Sequence, residues 1–350
     1  MPYQIIRQDI TKMNTDAIVN AANTALAPGG GVCGAIFAAA GHNELEAACS
    51  AIGHCDTGKA VITEGYRLPA KYIIHTPGPI YSPARSDNET LLYSCYRSSL
   101  ELAKKHRLAS IAFPLISSGI YGYPPDEALS VATKAISDFL TDNEMDIYLV
   151  VYDKRSFRIS RTLYDDVREY IDEHMVKEPA IRERMLHESS YYMPSAKPMQ
   201  NMPQPTYASN TGAGKSLKSS ALRDRMNKSE LDRMLKNPDS SFSEYLLQLI
   251  DQSGMTDTEV YKKANIDRKL FSKIRSNPAY RPSKLTAVAF AIALELDWQM
   301  ARELVSRAGY SFSHSSKFDI IIEYFITNGS YNIFEINEVL FQFDQQLIGA

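Results

Sequence analysis

DAIVNAANTALAPGGGVCGAIFAAAG, residues 16 to 41, is the stretch from which the first half of this 350-residue chain can be read. Ala17-Ile18-Val19 is an apolar run that reads as a buried strand, with Asn20 and Asn23 at its end. Pro28 and three consecutive glycines, Gly29 to Gly31, follow. After Val32, Cys33 and Gly34, small and apolar residues at helical spacing (Ala35 to Ala40) begin a helix. A strand, a glycine loop and a helix start together make a place for phosphate. Glycines let the backbone approach an anion with no Cβ in the way. The N–H groups at the helix start point at it, and the helix dipole favours its charge. The glycines are contiguous, so this is not the dinucleotide fingerprint, and no Gly-Lys-Ser follows, so it is not a P-loop. The alternative is a plain turn between strand and helix. The asparagines weigh against it, because open α/β sheets place their ligands at strand ends.

The rest of the first half alternates in the same way. Strands are expected at 3–8, 59–64, 71–75, 110–116 and 146–152. Helices are expected at 43–53, 88–106, 125–140 and 156–174, the last with Ser156 as N-cap. Several strands are apolar on both faces, which predicts a mostly parallel sheet with helices on both sides. A second small-residue loop, Ser117 to Pro124, follows the strand at 110–116.

Four of these segments carry a resemblance: Asp9-Ile10-Thr11, residues 16–41, Ile74 to Pro79, and Ser117 to Pro124. Together they are similar to the macrodomain, an ADP-ribose-binding module with a three-layer α/β/α fold, here over residues 1–176. The resemblance implies roles for particular residues. Asp9 would accept from the adenine amino group, with the Ile10 backbone beside it. Asn23 would hold the distal ribose. The loop Gly29 to Ile36, with Gly30, Gly31, Val32 and Cys33 as candidate contacts, would wrap that ribose and one phosphate, and Asn20 is a further ligand-binding candidate. Ser117, Ser118, Gly119, Ile120 and Tyr121 would form the second phosphate loop, and Tyr152 would stack on adenine. Asp9 as a simple turn cap and Tyr152 as a core tyrosine remain open.

One departure bears on chemistry. Where hydrolases of this kind carry an aspartate that positions water, this chain has Cys33, and Phe37 stands where a histidine is common. A phosphate oxygen of the substrate would then activate the water, with Asn23, Gly31 and Cys33 as the catalytic set. Cys33 as a covalent nucleophile is the weaker idea, because a free cysteine is usually a small buried hydrophobe. The expected activity is hydrolysis of ADP-ribosyl esters, on acidic side chains or in O-acetyl-ADP-ribose. The alternative is a non-catalytic ADP-ribose sensor. No metal and no cofactor is expected: His42, His54 and His75 are scattered, and no extra Cys or His stands between Asn23 and Gly29.

Residues 177–240 are rich in Met, Pro, Gln, Asn and Ser and read as a mostly disordered linker, with a short helix at 221–236. Gly212 to Ser216 mimics a P-loop, but Ser209 stands where its first glycine is needed.

From 241 to 350 the chain reads as helices at 242–252, 256–265, 267–277, 283–296, 298–308, 315–327 and 333–343. A capping box is expected at Thr256 and Glu259. Residues 242–310 resemble a repressor-type helix-turn-helix, with Ala264-Asn265-Ile266 at the turn and Asp267 to Ser276 as recognition helix. The segment 255–284 is net +5, with Arg268, Lys269, Lys273 and Arg275 as candidate DNA contacts. A helical protein–protein module is the alternative, because charge runs are usually solvated faces. Residues 311–350 would dimerise or cover that core.

Composition fits a globular protein, 44% hydrophobic and 23% charged. The net charge of −3 hides an asymmetry: −5 over 1–176, +4 over 177–240 and −2 over 241–350. Nothing in it advertises a membrane partner. The N-terminus does not read as a signal peptide, and four cysteines without C-x-x-C spacing fit reduced thiols, so a cytoplasmic protein is expected.

Overall fold

The computed structural model describes residues 3–152, 157–175 and 240–349. The 221–236 helix, the Gly212 segment and the linker lie outside these residues. Six strands form one sheet: β1 (Tyr3–Arg7), β2 (Ala17–Ala22), β3 (Val61–Glu64), β4 (Tyr72–Pro77), β5 (Ser110–Pro114) and β6 (Asp146–Val151), in the order β1-β6-β5-β2-β4-β3. Every pairing is parallel except that of β3, which runs antiparallel along β4.

Successive residues in a strand point to opposite faces, and here both faces are apolar. Val19, Ile74, Ile111 and Leu149 meet α3 (Asn88–Lys105) and α4 (Pro125–Asp142) on one side. Ile18, Ile73, Ala112 and Val150 meet α1 (Gly31–Ala40) and α2 (His42–Ile52) on the other. The result is the three-layer α/β/α arrangement with a mostly parallel sheet. Asp16 ties the strand starts together: it accepts from Lys71 Nζ at 2.9 Å and from the Ala109 and Ser110 backbones at 2.8 and 3.2 Å.

The fifth helix, α5 (Arg161–His174), starts later than the sequence spacing suggests, because Ser160 caps it by accepting from Leu163 N. Ser156 lies outside the described residues.

Seven helices follow residue 240: α6 (Phe242–Ser253), α7 (Asp257–Lys263), α8 (Arg268–Ser276), α9 (Lys284–Ala293), α10 (Trp298–Arg307), α11 (Lys317–Thr327) and α12 (Ile333–Gln342). Polar side chains set their starts. Ser241 with Glu244 and Thr256 with Glu259 form capping boxes, and Asp267 caps α8. The α7–α8 turn has no glycine. Asn265 takes the left-handed conformation instead, at φ +54, which Asn tolerates better than other side chains.

That asparagine also joins the helical region to the sheet. β1 is an edge strand, and its Tyr3 N–H donates to Asn265 Oδ1 at 2.8 Å while Asn265 Nδ2 donates to Tyr3 O at 2.9 Å. A side-chain amide thus occupies backbone groups that would otherwise be open to another strand. Around it Phe157 meets Phe341, Tyr164 stacks on Phe343 and Tyr170 meets Tyr324. One hydrophobic cluster runs through both segments, and residues 1–175 and 241–350 form one compact unit.

The same seam buries an acid. Thr133 Oγ1 on α4 donates to Glu338 Oε1 on α12 at 2.5 Å. Burial raises the Glu338 carboxyl to about 7, with Thr133 opposing and Glu335 adding to the rise. A raised carboxyl pKa means stability is fully present below the unfolded-state value and lost as pH climbs toward 7. Glu338→Gln removes this dependence. Denaturant titrations should show the variant gaining on wild type from about pH 4.5 to 7, by up to about 3 kcal/mol. Parallel curves for the two proteins would contradict this account of Glu338.

Candidate ligand-binding cleft

β2 lies between β4 and β5, all three parallel, so the loops that follow them leave the same edge of the sheet. These loops hold the glycine run, Gly78 and Ser117. Between them lies a cavity of about 290 Å³ lined by Ala21 to Asn23, Gly29 to Cys33, Gly78, Leu115 to Ser117, and Gly119 to Tyr121.

The glycine loop is shaped by local contacts. The Asn23 side chain clamps the chain after it: Nδ2 donates to Ala27 O at 2.8 Å and Oδ1 accepts from Ala27 N at 3.0 Å. Gly31 opens α1 at φ +62, and no side chain caps that helix. Its first N–H groups are therefore available to a ligand. Gly34 sits so close to the loop that a Cβ there would be 2.5 Å from Gly29 O.

The second loop is held in a left-handed conformation at Ser117, φ +64, an uncommon state for a residue with a Cβ. Ser117 lines the cavity, and its Oγ is buried against Gly78 without a protein hydrogen-bond partner. Ser118 Oγ turns inward to Leu115 O at 2.9 Å. Tyr123 N donates to Ser117 O and Gly122 N to Gly119 O, each at 3.0 Å, closing the loop.

Behind the cavity wall stands a buried polar chain. Asn20 Nδ2 donates to Cys33 Sγ at 3.7 Å and lies 3.1 Å from His75 Nδ1, and His75 Nε2 lies 2.9 Å from Thr63 Oγ1. Burial lowers His75 to about 4, so the imidazole is neutral. Burial likewise raises Cys33 above its ordinary value, opposed by the Asn20 contact and the Gly29 backbone. Cys33 is therefore a neutral thiol on the wall, without a base beside it. Asn20 faces this network, not the cavity.

Asp9 and Tyr152 are placed by β1 and β6. Gln8 N donates to Val151 O at 3.1 Å, which sets Asp9 and Tyr152 at neighbouring strand ends. Asp9 caps a 3₁₀ turn over Ile10–Lys12, accepting from Thr11 Oγ1 at 2.7 Å and Thr11 N at 3.0 Å. The Thr11 hydroxyl is the main reason its carboxyl lies below the usual range. Capping uses Oδ1 alone, and Oδ2 lies 3.9 Å from Lys12 Nζ in an exposed ion pair, so the turn role leaves Asp9 open to a ligand only in competition with Lys12. Ile10 is buried, while Tyr152 is exposed rather than in the core. None of Asp9, Ile10, Asn20, Ser118 and Tyr152 lines the 290 Å³ cavity, whereas the other candidate residues do. Gly78, Leu115 and Ile116 line it without having been singled out. The Pro-Gly-Pro at 77–79 is the one sequence signal that points to Gly78.

The candidate DNA contacts lie on α8. Phe271 and Ile274 are buried, while Arg268, Lys269, Ser272, Lys273 and Ser276 share the exposed face. Arg275 pairs with Asp257, Lys263 with Glu295, and Lys262 donates to Thr141 O at 2.7 Å. Lys273 lies over the Tyr280 ring. Among the described residues, no group of three or more Cys, His, Asp and Glu could hold a metal ion, and no helix is long and apolar enough to cross a membrane.

A family model described as "Macro domain" matches residues 19–132. A macro domain-containing protein of Methanosarcina mazei is 51% identical over 155 residues, 44% of this chain and 82% of that protein. The O-acetyl-ADP-ribose deacetylase of Salmonella gallinarum is 47% identical over 162 residues, 45% of this chain and 90% of that one. Among solved structures, the Oceanobacillus iheyensis macrodomain with ADP is 42% identical, covering 49% of this chain and 92% of its own, at a TM-score of 0.42.

Gly34→Ala should push the α1 start away from Gly29. We expect a loss of about 1–3 kcal/mol of stability, as for overpacking elsewhere, read as a lower denaturation midpoint. An unchanged midpoint would mean the loop gives way freely.

Proposed function

We propose, from the premise that this chain belongs to the macro domain family, that it binds ADP-ribose in the cleft between the glycine loop and the Ser117 loop and hydrolyses ADP-ribosyl esters. The observation that carries this reading is the convergence of Asn23, Gly29 to Cys33, Ser117 and Gly119 to Tyr121 on one cavity at the uncapped start of α1. A diphosphate lies there against backbone N–H groups. The distal ribose falls to Asn23, whose clamp on Ala27 fixes the amide in place. Adenine falls between Asp9 and the exposed ring of Tyr152.

No ionised side chain stands on the cavity wall to act as a base. In this reading a phosphate oxygen of the substrate takes the proton of the attacking water. The ester bond breaks, and ADP-ribose and the free acid leave. The glycine-loop N–H groups hold the phosphate in line. A relative named O-acetyl-ADP-ribose deacetylase supports an ester as the bond cut. The neutral Cys33 favours a second reading, a site that senses ADP-ribose without cutting anything.

The helical region adds an address in this proposal. The exposed stripe Arg268, Lys269, Ser272, Lys273 and Ser276 fits a nucleic-acid backbone. Arg275 is engaged with Asp257 and contributes less. A protein partner is the alternative for this face.

ADP-ribose should bind the full chain, and Asn23→Ala should weaken it about tenfold or more, the worth of a lost pair of hydrogen bonds. Calorimetry without heat at millimolar ligand would sink the assignment. Wild type should release ADP-ribose from an ester-linked substrate above the background of Gly30→Glu, and equal release would leave only the sensor. Binding to duplex DNA should weaken with salt at a log–log slope of about −3 to −4, for roughly four phosphate contacts. Mobility unchanged by duplex at low salt would leave the protein partner.

A further inference from the structure

The seam between α4 and α12 holds a second cavity, of about 390 Å³, that shares no residue with the cleft. Two helix stripes wall it. Ser130, Thr133, Lys134, Ser137 and Asp138 recur at the three- and four-residue spacing of one face of α4, and Phe334, Glu335 and Glu338 do the same on α12. Facing stripes of packed helices are ordinarily apolar and interdigitate. These are mostly polar, and the space between them is unfilled.

The floor is the Glu338 carboxyl, on a residue only 9% exposed. Its Oε1 accepts from Thr133 Oγ1. Its Oε2 has no hydrogen-bond or ion-pair partner among the described residues. Tyr3 Oη of β1 is unpartnered and sealed from solvent, whereas Glu338 Oε2 is not sealed and opens on the cavity. The other charged groups on the walls have partners elsewhere. Lys134 Nζ lies 3.5 Å from Glu89 on the exposed rim, Asp138 accepts from Tyr93 at 2.9 Å, and Glu335 accepts from Ser330 at 3.2 Å. Three carboxyls thus stand against one lysine. Tyr3, raised well above its ordinary value by burial and then by the Glu338 charge, stays a neutral phenol.

A half-satisfied carboxylate at the bottom of a cavity calls for a positive partner. A metal ion does not suit it, because no three Cys, His, Asp or Glu among the described residues are grouped to hold one. An ammonium head does: it donates to Oε2 and to the Ser130 and Ser137 hydroxyls, and its alkyl stem lies along Phe334. We propose that this cavity binds a small organic ammonium ion with Glu338 as its counter-ion. Binding then takes the place of a proton on Glu338. Burial sets that carboxyl at about 7, so the ionised form that the ligand needs becomes available as pH rises through 7. The bound ion ties α12 to α4 over the same range in which the bare carboxylate weakens the seam.

The test is calorimetry on the full chain with n-butylammonium, n-butanol and butyrate as probes. Wild type should give saturable heat with butylammonium alone, about tenfold tighter at pH 8 than at pH 6, as the ionised fraction of a group titrating near 7 rises by that factor. Glu338→Gln should weaken it about tenfold or more at pH 8 and remove the pH dependence. Ser137→Leu, which fills the cavity without altering the carboxyl, should abolish binding, so the result does not hang on one variant. Absence of saturable heat with wild type, equal binding of butanol, or an unchanged affinity in Glu338→Gln would overturn the site. Nα-acetyllysine amide presents the same head on a peptide backbone. Weaker binding than butylammonium is expected, and tighter binding would overturn the free amine in favour of a protein lysine.

Discussion

The parallel pairing of β2 with β4 on one side and β5 on the other places every loop of the cleft. Asn20 to Asn23, Gly78 and Ser117 are far apart in sequence, and only this register brings them to one edge. Asp16 fixes the opposite end by binding Lys71 and the Ala109–Ser110 backbone. With the strand starts pinned and both faces covered by apolar helices, the strand ends are set to within the play of a packed core. The ligand loops inherit that rigidity.

The cleft is built for recognition by dipoles. No charged side chain lines the cavity, the helix α1 begins uncapped, and the hydroxyl of Ser117 is buried without a partner. Such a site stabilises an anion by fixed N–H groups at no cost in reorganisation. It also lacks a base of its own. Burial lowers the His75 imidazole and raises the Cys33 thiol, which favours the uncharged form of both, and the polar chain from Cys33 through Asn20 to His75 ties α1, β2 and β4 together behind the wall.

Much of this arrangement can be read from the sequence, and the exceptions have a common cause. The strands and helices follow apolar periodicity, and the caps at Thr256 and Asp267 follow local hydrogen-bonding chemistry, which depends on three or four residues. The glycine loop and the Ser117 loop are likewise local. Asn20, by contrast, looks the same as Asn23 in sequence, and only the position of His75, 55 residues away, turns it into the wall's interior. The dual role of Asn265 is hidden in the same way, because its partner is Tyr3, 262 residues distant. Glu338 reads as a surface acid on a helix until α4 covers it. The later start of α5 was a matter of which serine caps it, and two serines four residues apart are equivalent to a reader of sequence.

Amide hydrogen exchange on the full chain, with and without ADP-ribose, tests the central claim most directly. Bound ligand should slow exchange at Gly31 to Gly34 and at Ser118 to Tyr121 together, with α6 to α12 unchanged away from β1. Slowing confined to the helical region, or spread evenly over the chain, would contradict a nucleotide site at the ends of β2 and β5.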